Sequence, residues 1–263
     1  MNFLFITIFP EQILAAANFS ILKRAQDAGL IKIFCINPRD FTTDKHRSVD
    51  DTPFGGGVGM VLKPEPFVAA IRQAKKELPT AKVVALCPSG KTLNQNIVKE
   101  YAKKAEDIIF LCGHYEGFDE RIFAFVDEKI SVGDYVVTGG ELPAVMLMDA
   151  ISRYIPGVLG KIDSAAEESF ADDLLEYPQY TRPDVFEGME VPEVLRSGDH
   201  AKIAAWRLKK SLLLTYKERK DLLNAEHLGL MEGTLQKKMC KTKRKFWDEV
   251  QKEVQKIKNT NKE

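Results

Sequence analysis

Five carboxylates crowd the stretch from Asp163 to Asp173: Asp163, Glu167, Glu168, Asp172 and Asp173. A carboxylate held beside a cation can move a proton and steady the charge that results. Arg153, just upstream, is the complementary cation, and Ser169-Phe170 could pin one carboxylate against a site. A solvated linker is the ordinary alternative for such a run. Ahead of Arg153 lies Ser131 to Gly160, which holds Thr138-Gly139-Gly140-Glu141 and then a periodic apolar segment. Leu142, Val145, Met146, Asp149 and Arg153 recur at helical spacing, so Asp149 and Arg153 are expected on or beside one helix face. That helix is expected to end at Pro156-Gly157. Paired glycines before a helix let backbone approach a ligand closely. A plain strand, turn and helix would look similar, but a second unusual turn, Cys112-Gly113-His114-Tyr115-Glu116-Gly117, lies upstream.

Other motifs are weaker. Phe54 to Met60 has four glycines in five positions, at Gly55, Gly56, Gly57 and Gly59, and bare amides there could face a planar or phosphorylated ligand. A floppy surface loop is the bland reading. Ala85 to Thr92 imitates a phosphate loop between a strand and a helix. Such a loop cradles its ligand with successive amides, yet Pro88 has no N–H and Gly90 is its only glycine. His46, His114, His200 and His227 show no metal-ligand spacing. No Gly-x-Ser-x-Gly elbow is present.

The elements that must position these residues alternate. Strands are expected over Asn2 to Phe9, Leu30 to Ile36, Lys82 to Cys87, Ile108 to Cys112 and Ile130 to Val137. Helices are expected over Glu11 to Ala28, Pro64 to Glu77, and Thr92, as the cap, to about Ala105, with a short one over Phe118 to Val126. Continuous apolar strands between helices indicate an α/β fold with a parallel sheet covered on both faces. A long polar loop runs from Asn37 to about Gly59, and loops of that length are usually functional or disordered. After Gly160 the character changes. The chain divides into a domain over 1–160, a linker over 161–169, and a smaller helical domain over 170–263. Gln236 to Glu263 carries ten Lys or Arg against four Asp or Glu, so this tail offers either a solvated helix face or a contact for RNA phosphates.

Composition bounds the class. Hydrophobic residues make up 44%, enough for a sizeable core, so global disorder is excluded. Lys plus Arg and Asp plus Glu both number 38, which argues against indiscriminate polyanion binding. No apolar run reaches the roughly 18 residues of a membrane span, and the start lacks a signal peptide's basic flank. Cys35, Cys87, Cys112 and Cys240 form no CxxC pair, as expected of reduced thiols in a cytoplasmic protein.

Seven motifs in order carry a resemblance: Pro53 to Met60, Cys112 to Arg121, Ser131 to Ala144, Ser152 to Gly160, Tyr177 to Pro183, Val191 to His200, and Trp206-Arg207. Together they resemble the bacterial tRNA (guanine-N1)-methyltransferases, the TrmD family of the SPOUT class. The resemblance covers Asn2 to about Lys210. It implies a parallel sheet ending in a trefoil knot, an exception to unknotted topology. It implies methyl transfer from S-adenosylmethionine to N1 of the guanine at position 37 of tRNA. It also implies a homodimer with the site between subunits, a Mg²⁺ dependence with no readable ligand set, and no membrane or DNA partner. Cofactor contacts would come from Leu86, Pro88, Gly113, Tyr115, Glu116, Ser131, Val132, Gly133, Tyr135, Val137, Gly139 and Gly140. Substrate contacts would come from Asp50, Gly55, Gly59 and Ser169. The general base is implied at Glu168, where relatives carry the one-methylene-shorter Asp, and the cation at Arg153. Glu176 and Gln179 stand where relatives often have Asp and His, and His114 where some have Arg. Two other classes fit parts of the chain: a nucleotide hydrolase using Ala85 to Thr92, and a non-catalytic RNA-binding protein using the basic tail. Binding of S-adenosylmethionine rather than ATP separates the first, and methyl transfer to tRNA excludes the second.

Overall fold

A computed structural model of the chain describes residues 1–160, 168–170, 173–235 and 241–260. The chain forms two compact units, Met1–Ile162 and Asp163–Glu263. Asp163, Glu167 and Asp172 lie outside the described residues.

In the first unit β1 (Asn2–Ile6) is apolar throughout after Asn2. Phe3 and Phe5 point to one face of the sheet and Leu4 and Ile6 to the other, all fully buried, so each face has its own core. Pro10 then starts α1 (Pro10–Ala17), its missing N–H costing nothing at a helix start. The single helix expected to Ala28 is two: Ser20, at φ 47°, turns the chain and opens α2 (Ser20–Asp27). β2 (Lys32–Ile36) follows. The long polar loop is not formless. A 3₁₀ turn at Pro38–Phe41 leads to a hairpin of β3 (Asp50–Asp51) and β4 (Val61–Leu62), with the glycine-rich segment between them. α3 (Pro64–Glu77) lies where expected.

β5 (Lys82–Thr92) runs past its expected end, and the cap of α4 (Gln95–Lys104) is Asn94, whose side chain accepts from the Ile97 amide at 3.1 Å, instead of Thr92. β6 (Ile108–Cys112) is wholly buried. Phe118 to Val126 is mainly a 3₁₀ turn, Glu120–Phe125. β7 (Glu128–Ser131) stops early, because the apolar residues after it leave the sheet. The five long strands pair in parallel in the order β2-β1-β6-β5-β7.

α5 (Glu141–Ser152) corrects two expectations. It ends at Ser152 with Arg153 as its cap, ahead of Pro156-Gly157. Its buried face is Ala144, Leu147, Met148 and Ile151, while Leu142 and Met146 are exposed at 57% and 46%. The periodicity of Leu142 and Met146 therefore marks the outward face.

The described part of the second unit opens with Glu168, Ser169 and Phe170 and carries a small hairpin, β8 (Val185–Phe186) and β9 (Met189–Glu190). Helices α6 (Glu193–Arg196), α7 (His200–Glu218), α8 (Ala225–Glu232) and α9 (Lys241–Thr260) follow. Leu212, Tyr216, Leu223, Met231, Val250 and Val254 form its core. No helix of the described residues is long and apolar enough to cross a membrane.

Candidate functional site

Three loops at the carboxyl ends of β5, β6 and β7 enclose a cavity of about 410 Å³. This is where parallel sheets commonly hold ligands. The first loop is an excursion within β5. Leu86 and Lys91 both pair with Ile130 of β7, so residues 87–90 loop out and return. Gly90 closes the excursion, and a Cβ there would run into the Ile130 backbone. The second loop is a tight turn in which Tyr115 and Gly117 adopt positive φ and the Gly117 amide donates to the His114 carbonyl at 3.0 Å. The third runs from Val132 to Gly140. It is tied to the second by an antiparallel bridge between His114 and Gly139 and by the Gly140 amide donating to the Gly113 carbonyl at 2.8 Å.

The paired glycines thus have a structural explanation. A Cβ on Gly140 would lie 2.7 Å from the Gly113 nitrogen and 2.9 Å from the Cys112 Cα. Gly140 lets two loops of the chain approach each other, where the sequence suggests approach to a ligand.

Every residue named above for the cofactor lines this cavity except Gly133. Gly133 stands beside it: the Ser131 hydroxyl and the Gly133 backbone hydrogen-bond at 3.0 and 3.3 Å, and the Tyr135 ring occupies the space a side chain would need. Cys87, Ser89, His114, Phe118, Phe123, Thr138 and Pro143 also line it. Phe118 and Phe123 carry no signal in the sequence beyond their place in a short apolar turn. Among the described lining residues there is no Lys or Arg, and the acid is Glu116. An apolar pocket with a few polar groups suits a small organic ligand. Without a cation it does not suit a polyphosphate.

The glycine-rich hairpin is joined to the same site. The Glu116 amide donates to the Met60 carbonyl at 3.0 Å, and the Leu62 amide donates to the Gly117 carbonyl at 2.9 Å. Gly59, at φ +92°, lies against the Glu116 carboxylate, where a Cβ would not fit. Asp50 pairs with Leu62 at the foot of the hairpin, and Gly55, at φ +86°, is near its tip beside the fully exposed Phe54. Of the residues named for the substrate, Asp50, Gly55 and Gly59 therefore share one hairpin. Ser169 belongs to the second unit, where its hydroxyl accepts from the Glu176 amide at 3.0 Å. Arg153 caps α5 in the first unit, its amide donating to the Asp149 carbonyl at 3.2 Å, and Glu168 opens the described part of the second. Glu176 also accepts from Gln179.

Ala85 to Thr92 does not make a phosphate loop. It is strand and excursion, its apex includes Pro88, and no helix follows it directly. Among the described residues no group of three or more His, Cys, Asp or Glu could hold a metal ion. Cys35, Cys87 and Cys112 carry free thiols.

Comparison with known proteins gives the family. The family model described as tRNA (Guanine-1)-methyltransferase TrmD matches residues 1–225. A tRNA (guanine-N(1)-)-methyltransferase of Dictyoglomus turgidum is 53% identical over 223 residues, 85% of this chain and 90% of that protein. That of Staphylococcus carnosus is 54% identical over 220 residues, 83% and 89% respectively. The same-named protein of Caldicellulosiruptor saccharolyticus is 51% identical over 245 residues, 93% and 99%.

Proposed function

The chain belongs to the tRNA (guanine-1)-methyltransferase family, and we propose that it transfers a methyl group from S-adenosylmethionine to N1 of the guanine at position 37 of tRNA. The observation that carries the cofactor is the cation-free cavity of about 410 Å³. S-adenosylmethionine is a nucleoside with no phosphate and a positively charged sulfur, so it needs apolar walls and backbone partners and no arginine. The excursion Leu86 to Gly90, the turn Gly113 to Gly117 and the loop Ser131 to Gly140 would hold it. When bound, it supplies an electrophilic methyl group.

The residues of the chain then have two tasks. Guanine N1 carries a proton and is a poor nucleophile, so a carboxylate must take that proton as the N1–methyl bond forms. Glu168 has this role. Charge grows on O6 meanwhile, and Arg153 has the role of stabilising it. Asp50, Gly55, Gly59 and Ser169 bind substrate, the first three on the hairpin that shares hydrogen bonds with the cavity wall.

The same reading places a trefoil knot in the three cavity loops and assigns tRNA binding to a helical second domain. It makes the protein a cytoplasmic homodimer, for which the exposed apolar side chains of Leu14 on α1 and of Leu142 and Met146 on α5 are available surface. Mg²⁺ remains a trait of the family reading alone.

Single-turnover transfer from methyl-labelled cofactor tests the roles. Wild-type protein should label tRNA bearing guanine at position 37 and spare the same tRNA with adenine there. Glu168→Gln should slow the step by roughly 10²–10⁴-fold with little change in cofactor or tRNA binding, and Glu168→Asp should retain activity. An undiminished rate in Glu168→Gln would remove it as the base.

A further inference from the structure

Glu141 is the first residue of α5 and only 1% exposed. Thr7, just beyond β1, donates its hydroxyl hydrogen to Glu141 Oε1 at 2.7 Å. His114 Nε2 stands 3.5 Å from Oε2, and the Phe9 ring packs edge-on against the imidazole at 4.9 Å. A Cβ on Gly139 would run into both the His114 ring and the Glu141 carboxylate. The carboxylate therefore lies directly behind a wall made of His114 and Gly139, and both of those line the cavity.

Burying a carboxylate is costly. The hydrogen bond from Thr7 needs an acceptor but not a charge, so a glutamine would satisfy it. Its place in the first turn of α5 favours negative charge on Glu141. Its charge is felt by a buried neighbour: burial first, and then the charge of Glu141, push the Cys112 thiol at the end of β6 well above its ordinary range. The reaction proposed above changes the charge of the ligand in this cavity. When the methyl carbon bonds to N1, the electron pair of the S–C bond stays on sulfur. The sulfonium cation becomes a neutral thioether, and the N1 proton goes to Glu168.

We propose that Glu141 is a specificity-determining residue, whose carboxylate behind the His114–Gly139 wall makes the cavity prefer the cationic methyl donor over its neutral thioether product. The inference rests on the S-adenosylmethionine reading. It gives the buried charge a purpose that packing does not: the site holds the donor and loosens its hold once the methyl has left.

Calorimetry of the full chain with S-adenosylmethionine and, separately, with S-adenosylhomocysteine tests this. Glu141→Gln should weaken the donor about tenfold relative to the product, the size of a charge–charge interaction across several ångströms of protein, and leave product affinity nearly unchanged. Equal losses for both ligands would mean that Glu141 only braces the loops, and no change for either would mean that its charge is not felt; both overturn the inference. If Glu141→Gln does not fold, by circular dichroism, the wild-type chain can still overturn the proposal. It should bind the donor, and the analogue sinefungin with an ammonium-bearing carbon in place of the sulfonium, more tightly than S-adenosylhomocysteine. Product binding as tight as either cation overturns the proposal. Binding of neither donor nor product would overturn the cofactor reading itself, and the inference with it.

Discussion

The amide of Gly140 donates to the carbonyl of Gly113 at 2.8 Å, and the two residues are too close for a side chain between them. This contact joins the loop after β7 to the turn after β6 and shapes the wall of the cavity. Gly140→Val should therefore lower thermal stability, by about 1–3 kcal/mol for an overpacked contact, as well as abolish cofactor binding. Calorimetric melting and ligand titration on the same sample check it. Lost binding with an unchanged melting temperature would show that Gly140 faces the ligand alone.

Lys91 separates the cavity from the phosphate-loop reading of the same segment. Its side chain is 76% exposed and stands 4.0 Å from Glu128. In a phosphate loop the lysine would hold the ligand. Here Lys91→Ala should leave S-adenosylmethionine affinity within about twofold, since an exposed ion pair contributes little. Measurable ATP binding that Lys91→Ala abolishes would restore the rejected reading.

In the second unit Glu232 accepts from Tyr216 at 2.7 Å, lies 2.8 Å from Lys220 and 3.4 Å from Lys258, and so ties α7, α8 and α9 together. The hydrogen bond from Lys220, then that from Tyr216, lowers its carboxyl from 4.5 to about 2. A lowered folded value stabilises the charged form, so this contribution is complete above the unfolded value of 4.5 and fades as pH falls toward 2. Glu232→Gln should cost roughly 1 kcal/mol at neutral pH, and the difference from wild type should shrink as pH falls below 4.5 and disappear only once pH has fallen through about 2. Both tryptophans, Trp206 and Trp247, belong to this unit, so urea unfolding followed by tryptophan fluorescence reads it selectively. A difference that grows on acidification would contradict the assignment.

The basic start of α9 tests where the tRNA lies. Lys243, Arg244 and Lys245 are exposed, whereas Lys237 and Lys238 lie outside the described residues. If the three touch phosphates, replacing them with alanine should reduce the slope of log affinity against log salt by about 0.7–0.9 for each phosphate no longer neutralised. An unchanged slope would leave them as a solubilising face.

Legibility follows the range of the interactions. α3 is readable to its limits because Pro64 fixes its start and the pattern within it is local. The break between α1 and α2 is not, since it depends on Ser20 at φ 47° with no Gly or Pro to mark it. Val132 to Val137 read as strand because apolar residues lining a cavity look like apolar residues lining a core. The outward face of α5 reads as its inner one for a related reason: both faces are apolar. Local residues single out the Cys112 to Gly117 turn and Gly139-Gly140, but joining the three loops into one cofactor site rests on a resemblance spread over seven motifs. Nothing local connects Glu141 to Thr7, 134 positions earlier, or explains why Gly140 must be bare.

The central claim is a methyl group on N1 of one guanine, and the most direct measurement is mass spectrometry of tRNA nucleosides and fragments. Unmodified tRNA carrying guanine at position 37 would be incubated with the full chain and S-adenosylmethionine and then digested. The account predicts N1-methylguanosine in the fragment that holds position 37, and none when the cofactor is omitted. Unmodified tRNA after full incubation, or a methyl group on another atom or another residue, would contradict it.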